Sequence, residues 1–346
     1  MFKNILVYTL PKDFKMFDII DNQSLEKRRS KPLTGDCISK LGWAETLNDG
    51  ALFLQCEQDY VFKIERRFKR IANSTLKAAI AQKQAELSAE EPTRWGPQAK
   101  ITKESRKALE ASIFKILASK ALTQFSTSYV LYSPTLHMLL VESTTDAYAE
   151  DVVDLLRDTF GSVKAKPLSC KKTPTESFKL WLTDESNVPE DFELIDGGLV
   201  MASSHKKGNR VTYNSQVMNS DEISANLLAN KKPLKLDLSW KHTLSFTLDE
   251  HLRISKIQLT KSLRDRIKSA YEMVSKGKSV TLAEAMDKER AKKTSTITLT
   301  RQALVKMIPD LLKGLGDYSD THTRVSSQTE CSEPVAGLAI EKFQDS

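Results

Sequence analysis

Cysteine is scarce and scattered: the 346-residue chain holds four, Cys37, Cys56, Cys170 and Cys331, with no CxxC pair among them. Such spacing suggests neither a disulfide framework nor a zinc site, and the thiols read as buried or incidental. Histidine is equally sparse, with five residues at 137, 205, 242, 251 and 322 that share no ligand spacing. No run of about 18 apolar residues occurs, and the opening Met1-Phe2-Lys3-Asn4-Ile5-Leu6-Val7-Tyr8 is too brief for a signal-peptide core. A cytoplasmic protein without a membrane partner is expected. The motifs HExxH, GxSxG and GxGxxG are missing, and so is any Glu-x-Lys triplet of the kind used by a common class of metal-dependent nuclease. Gly277-Lys278-Ser279 resembles the close of a phosphate-binding loop, but Glu272 stands where its first glycine belongs. The chain therefore reads as a non-enzyme with no cofactor and no metal.

What is present is positive charge, unevenly placed. Lysine and arginine total 52 against 45 acids, a net +7. By itself this is a weak pointer to a polyanionic partner. Its distribution says more: residues 61–120 carry 14 basic and 6 acidic side chains, while 146–199 carry 6 and 12. One surface can therefore be strongly positive on a mildly basic molecule. Acids such as Asp151, Asp154 and Asp158 fall on the solvent side of a helical pattern, which needs no catalytic explanation.

Periodicity predicts an α+β chain of antiparallel sheets with flanking helices. A first strand spans roughly 3–9, a polar helical stretch 15–31, and two strands fill 51–64 around a turn at 57–59. A helix is expected from Asn73 or Ser74 to about Leu87, and another after the cap candidate Thr102, with Leu109, Ile113, Ile116 and Leu117 as its apolar stripe. A hairpin follows at 126–133 and 136–142, then a capped helix from Thr145 to Phe160, stopped by Gly161, and a strand near 162–168. After a polar bridge at 169–176 and a short segment around Trp181, a strand at 192–202 and its return at 211–217 flank the basic turn 203–210, a projecting hairpin. A short helix at 221–229, strands at 233–240, 243–248 and 252–260, a helix near 261–275, a charged stretch at 276–293 and a last helix from Thr300 to Leu315 complete the folded part; Pro309 should kink that helix. Four regions result: 1–170 with basic helices, a finger at 171–235, a meander with helices at 236–316, and a polar tail at 317–346 without sustained periodicity.

Short matches along the chain carry a family resemblance. They include Phe2-Lys3-Asn4 leading to Val7-Tyr8, then Lys40-Leu41-Gly42-Trp43, Leu155-Leu156-Arg157 through Phe160-Gly161-Ser162, and Pro167-Leu168-Ser169. Further on stand Asp196-Gly197-Gly198, Ser220-Asp221-Glu222-Ile223, Leu236-Asp237-Leu238-Ser239-Trp240, Leu263-Arg264-Asp265 and Leu311-Leu312-Lys313-Gly314-Leu315-Gly316. In order and spacing the chain resembles the recombination-associated RdgC family over about residues 2–316. The resemblance implies an elongated, curved subunit that forms a ring-shaped homodimer. Such a ring encircles double-stranded DNA without sequence preference, associates with the nucleoid and restrains the RecA recombinase. The chain departs from the family pattern at Leu122, where an aromatic residue is common, in a longer basic turn, and in the tail.

Candidate DNA contacts follow from charge and resemblance together: Arg66, Arg67, Lys69 and Arg70; Lys77 on the first long helix; Lys103, Arg106, Lys107, Lys115 and Lys120 on or after the second; and Lys206, Lys207, Arg210 and Gln216 in the projecting hairpin. Cations on such surfaces neutralise phosphates and read no base. Two other classes stay open: a nucleic-acid enzyme using undetected carboxylates with a metal, and a direct protein inhibitor of the recombinase. Trp43, Trp181 and Trp240 are assigned to core or interface rather than to base stacking.

Overall fold

A computed structural model describes residues 1–14, 20, 22–34, 37–47, 49–96, 102–203, 209–274 and 282–316. The short turn tip 204–208, the Gly277-Lys278-Ser279 segment and the tail from 317 lie outside the described residues. The opening strand β1 (Ile5–Thr9) lies at the middle of the sheet rather than at its edge. Its neighbours come from opposite ends of the chain: Ile5 faces both Glu142 and Ile254.

On one side of β1 lie β2 (Ser39–Ala44), β3 (Phe53–Cys56), β4 (Asp59–Lys69), β5 (Thr123–Ser133) and β6 (Met138–Glu142). On the other lie β8 (Phe192–Ser203), β9 (Arg210–Gln216), β10 (Lys231–Trp240), β11 (Leu244–Asp249) and β12 (Ile254–Leu259). The order is β2-β4-β5-β6-β1-β12-β11-β10-β8-β9, with β3 beside β4 and the two-residue β7 (Lys166–Pro167) beside β1. Every strand pair is antiparallel.

Alternation explains why the half of the sheet from β1 to β6 is buried on both faces. Val7, Val61, Leu131 and Leu140 belong to one core; their neighbours Tyr8, Phe62, Val130, Tyr132, Leu139 and Val141 belong to another. Successive side chains on a strand point to opposite faces, so β1, β4, β5 and β6 feed both cores, whereas β8–β12 feed the first alone. The second core is closed by α5 (Asp146–Phe160), which buries Val152, Val153 and Leu156. Thr145 caps that helix by accepting from Tyr148 N at 3.4 Å. Gly161 ends it at φ +85, a left-handed backbone that a side chain would strain. The first core is closed by α6 (Pro174–Thr183), α7 (Asp221–Leu228), α8 (Lys261–Val274) and α9 (Leu282–Gly314), with Trp181, Ile223, Leu263, Leu304 and Ile308 buried.

The remaining helices are α1 (Asn22–Lys27), α2 (Asn73–Glu90), α3 (Pro92–Trp95) and α4 (Lys103–Lys120). Between β4 and β5, α2 packs on α3 and α4, and among the described residues no comparable packing ties these helices to the sheet. They form a projection with little core of its own: α2 buries nothing fully, and α4 buries Leu109, Ile113 and Ala118.

Several expectations need correction. The strand β2 was not anticipated, because Ser39 to Leu41 show no clean alternation; pairing with β4, from Ser39 opposite Phe68 to Ala44 opposite Lys63, makes it a strand. The segment around Trp181 is a full helix begun by Pro174 at its first turn. Much of the charged stretch before Lys293 is helical, part of the 33-residue α9, which continues through Pro309. Lys293 pairs with Glu289 at 2.7 Å one turn away, so the charges there support a helix. Ile116, expected in the α4 stripe, is 57% exposed. In place of the polar helix expected at 15–31, the described helix is the short α1, and Arg29 bridges Trp43 instead.

Candidate nucleic-acid interface

The cations expected to act together on residues 66–70 are divided by the pleat of β4. Phe62 and Ile64 face the α5 side, so Arg66 does too, while Arg67 and Lys69 share the opposite face with Val61 and Lys63. Arg66 lies 5.5 Å from the centre of the Tyr148 ring and 5.8 Å from that of Phe68, and its Nε donates to Ser39 Oγ at 3.0 Å. Aromatic faces and one hydroxyl therefore hold its guanidinium, with no carboxylate within 4 Å of it among the described residues.

Arg67 is in a different state. Its Nε donates to Glu65 Oε1 at 2.6 Å and to Ser30 Oγ at 3.1 Å, and Ser30 Oγ also donates to Glu65 at 2.7 Å. Burial pushes the Glu65 carboxyl up, but the hydrogen bonds from Ser30 and Arg67 and the charge of Arg67 outweigh it and hold the group below the usual carboxylate range. Lys63, further in on the same face, is half-buried; burial first, and then the charge of Lys293 on α9, lower its pKa. Arg70 lies just past the end of β4, exposed.

The projection carries six of the expected cations. Lys77 on α2 and Lys103, Arg106, Lys107, Lys115 and Lys120 on α4 are all exposed, and none has an acidic partner within 4 Å among the described residues. Lys103 and Lys107 are one turn apart and Arg106 lies between them, so the three heads emerge from adjoining positions. Thr102 caps α4 by accepting from Ser105 N at 3.2 Å, which fixes where this cluster begins. Beyond Lys120 the chain exposes Leu122 at 87% and Phe125 at 73%, and β5 stays exposed through Thr127.

In the hairpin, Arg210 is exposed and pairs with Ala202; Lys206 and Lys207 lie outside the described residues. Gln216 sits at the other end of β9 opposite Gly197, half-buried, with its Nε2 donating to Ser220 Oγ at 3.3 Å. It is thus separated from Arg210 by the length of the strand.

Two basic groups escaped the sequence reading. Lys27, Arg28, Arg29 and Lys31, with Lys40 and Arg66, line a groove of about 520 Å³ whose other wall is Asp151, Asp154 and Asp158 of α5. Arg28 reaches Asp158 at 3.5 Å. The run Lys27-Arg28-Arg29-Ser30-Lys31 was visible as a charge cluster, but only the fold sets it beside Arg66. Lys231 and Lys232, at the start of β10, face Ser203 and Ala202 and so stand near Arg210. Among the described residues, no three histidine, cysteine, aspartate or glutamate side chains come together to hold a metal ion, and no helix is long and apolar enough to cross a membrane.

This geometry belongs to a chain with extensive relatives. The profile of the family described as "Putative exonuclease, RdgC" matches residues 1–318. The chain belongs to the RdgC family. It is 28% identical over 272 residues to the recombination-associated protein RdgC of Pseudomonas aeruginosa PAO1, covering 77% of this chain and 85% of that one. Likeness to the protein of the same name from Pseudomonas syringae pv. syringae B728a is 24% over 318 residues, 91% of this chain and 97% of that one. The RdgC match stops at residue 318, just past α9, so the tail lies beyond it from residue 319 on.

Proposed function

We propose that this RdgC-family chain binds double-stranded DNA without sequence preference, as a homodimeric ring around the duplex. By occupying DNA it restrains RecA-dependent recombination, and it resides in the cytoplasm at the nucleoid. The observation that carries the reading is the projection α2–α4. Six cations stand exposed there without acidic partners among the described residues, on helices that bury little and so are free to meet a surface. Lysine and arginine heads of this kind neutralise phosphates and release counterions, which yields affinity with no sequence information. A twofold assembly doubles the same wall, and the exposed Leu122 and Phe125 offer apolar area for a subunit contact. The relatives' name, recombination-associated, agrees with such a role.

Equal affinity for unrelated duplexes and slow release from closed circular DNA relative to linear DNA are the expected results. A strong preference for one sequence, or a monomer in solution that releases both topologies alike, would overturn the reading. Loss of recombinase inhibition together with DNA binding in Lys103→Glu/Arg106→Glu/Lys107→Glu supports occupancy of DNA; inhibition that survives points to direct contact with the recombinase.

The description of the family profile favours a second reading, an exonuclease. Incubation of linear duplex with the protein and Mg²⁺ or Mn²⁺ decides it: shortened strands establish an enzyme, and intact strands leave the binder.

A further inference from the structure

The charge of the chain changes sign just beyond its last helix. Residues 317–346 hold six acids, Asp317, Asp320, Glu330, Glu333, Glu341 and Asp345, against Arg324 and Lys342, a net −4. With a total of +7, residues 1–316 therefore carry +11. From residue 319 on, this segment lies past the part matched by the RdgC profile.

Where the segment starts is described. After α9 the chain reaches Gly316 at φ +81, and a Cβ placed there would lie 3.5 Å from Lys172 Cδ. Lys172 immediately precedes Thr173, which lines a cleft of about 580 Å³ between the start of α6 and the start of β10. Lys179, Lys231 and Lys232 line that cleft as well, with Glu176 and Glu250 as its two carboxylates. Lys172, Lys179, Lys231 and Lys232 have no acidic partner within 4 Å among the described residues. Across the sheet, Lys232 and Arg210 both flank Ala202, so the cleft adjoins the turn end of the β8–β9 hairpin.

We propose that the acidic segment 317–346 docks on this lysine-lined cleft at its own exit point and competes there with DNA phosphates. The inference rests on the DNA-binding reading above. Asp317 and Asp320 follow Gly316 directly, so the first acids need only a few residues of reach, at roughly 3.3 Å each. A covalently attached anion acts at about millimolar local concentration, enough to weaken a polyanion held by a handful of phosphate contacts.

Zero-length carbodiimide cross-linking of the full chain, read by mass spectrometry, should join Asp317 or Asp320 to Lys172, Lys231 or Lys232. In parallel, duplex affinity is measured for the full chain, the chain ending at Gly316, and the full chain with Asp317→Asn, Asp320→Asn, Glu330→Gln and Glu333→Gln. Both altered forms should bind about tenfold more tightly at low salt, with the gain fading as salt rises. Absence of those cross-links, or equal affinities in all three forms, overturns the proposal. If no form binds DNA, the functional reading fails and competition with it, while the cross-links still report docking.

Discussion

The guanidinium of Arg301 on α9 lies against the Asp59 carboxylate at the start of β4, Nε to Oδ2 2.6 Å, with the two side chains only 4% and 3% exposed. Arg301 Nη2 also donates to Cys56 O at 2.7 Å and to Glu57 Oε2 at 3.0 Å. The last long helix is thereby pinned to the β3–β4 turn, 242 residues away from Asp59 in sequence. Cys56 Sγ, 3.7 Å from Thr298 Oγ1 on the same helix, adds to the junction.

Cutting Arg301 to alanine strands the Asp59 charge, whose Oδ1 has no other partner, and should cost about 3–5 kcal/mol. Replacing both residues with apolar ones, Arg301→Met with Asp59→Leu, should cost far less, because no buried charge is then left alone. Urea unfolding of the three proteins checks this. A single-variant loss no larger than that of the double variant would show that the pair contributes nothing specific.

On α4, replacing Lys103, Arg106 and Lys107 with alanine should weaken duplex binding evenly across sequences. Each phosphate that is no longer neutralised lowers the slope of log affinity against log salt by about 0.9. If all three meet phosphates, the slope drops by roughly 2.7 on that basis. Their exposure predicts stability changes within about 0.5 kcal/mol. Anisotropy titrations over a salt series measure the slope, and an unchanged slope would remove α4 from the interface. Replacing Arg67 should instead lower stability more than affinity, since its charge is already met by Glu65.

How much of this was legible in the sequence depends on the range of the forces involved. Capped, periodic elements could be read locally: Thr145 and Gly161 mark α5, and Thr102 marks α4. Strand β2 could not, because Gly42 and Lys40 become strand residues only through β4. The helix α6 hid behind a polar lead-in, and the part of α9 before Thr300 behind its charges, which pair along the helix rather than disorder it. At the candidate site, the exposure of the cations on α2 and α4 could be expected from charge and helical periodicity. The split of Arg66 from Arg67 follows from pleat parity, which needs the register of β4, and the neighbourhood of Lys231 and Arg210 needs the order β10-β8-β9. The expected α4 stripe overreached at Ile116 because nothing long-range covers that side of the helix in a single chain.

Leu122 and Phe125 are exposed enough in one chain that replacing them with serine should leave folding stability within about 0.5 kcal/mol. Self-association should suffer instead, because removing large apolar groups from the centre of an interface commonly costs about 2 kcal/mol or more, roughly thirtyfold in affinity. Sedimentation velocity over a concentration series separates the two effects. Unaltered association by Leu122→Ser/Phe125→Ser would place the subunit interface elsewhere.

Cys170, between β7 and α6, packs against the first core, and burial pushes its thiol up to about 11. The folded protein therefore favours the neutral thiol, and the unfolded chain ionises it first, near about 8.5. Because the folded value is the higher one, this contribution to stability is intact below about pH 8.5 and is lost as pH rises toward 11. With the neutral thiol favoured, alkylation at Cys170 should be slower than in the urea-unfolded chain. Iodoacetamide labelling with peptide mapping tests the rate, and unfolding curves of Cys170→Ala from about pH 7 to about pH 10.5 test the linkage. The alkaline decline should be shallower in the variant; an equal decline, or labelling of the native protein at the unfolded rate, would contradict a partly buried, protonated thiol.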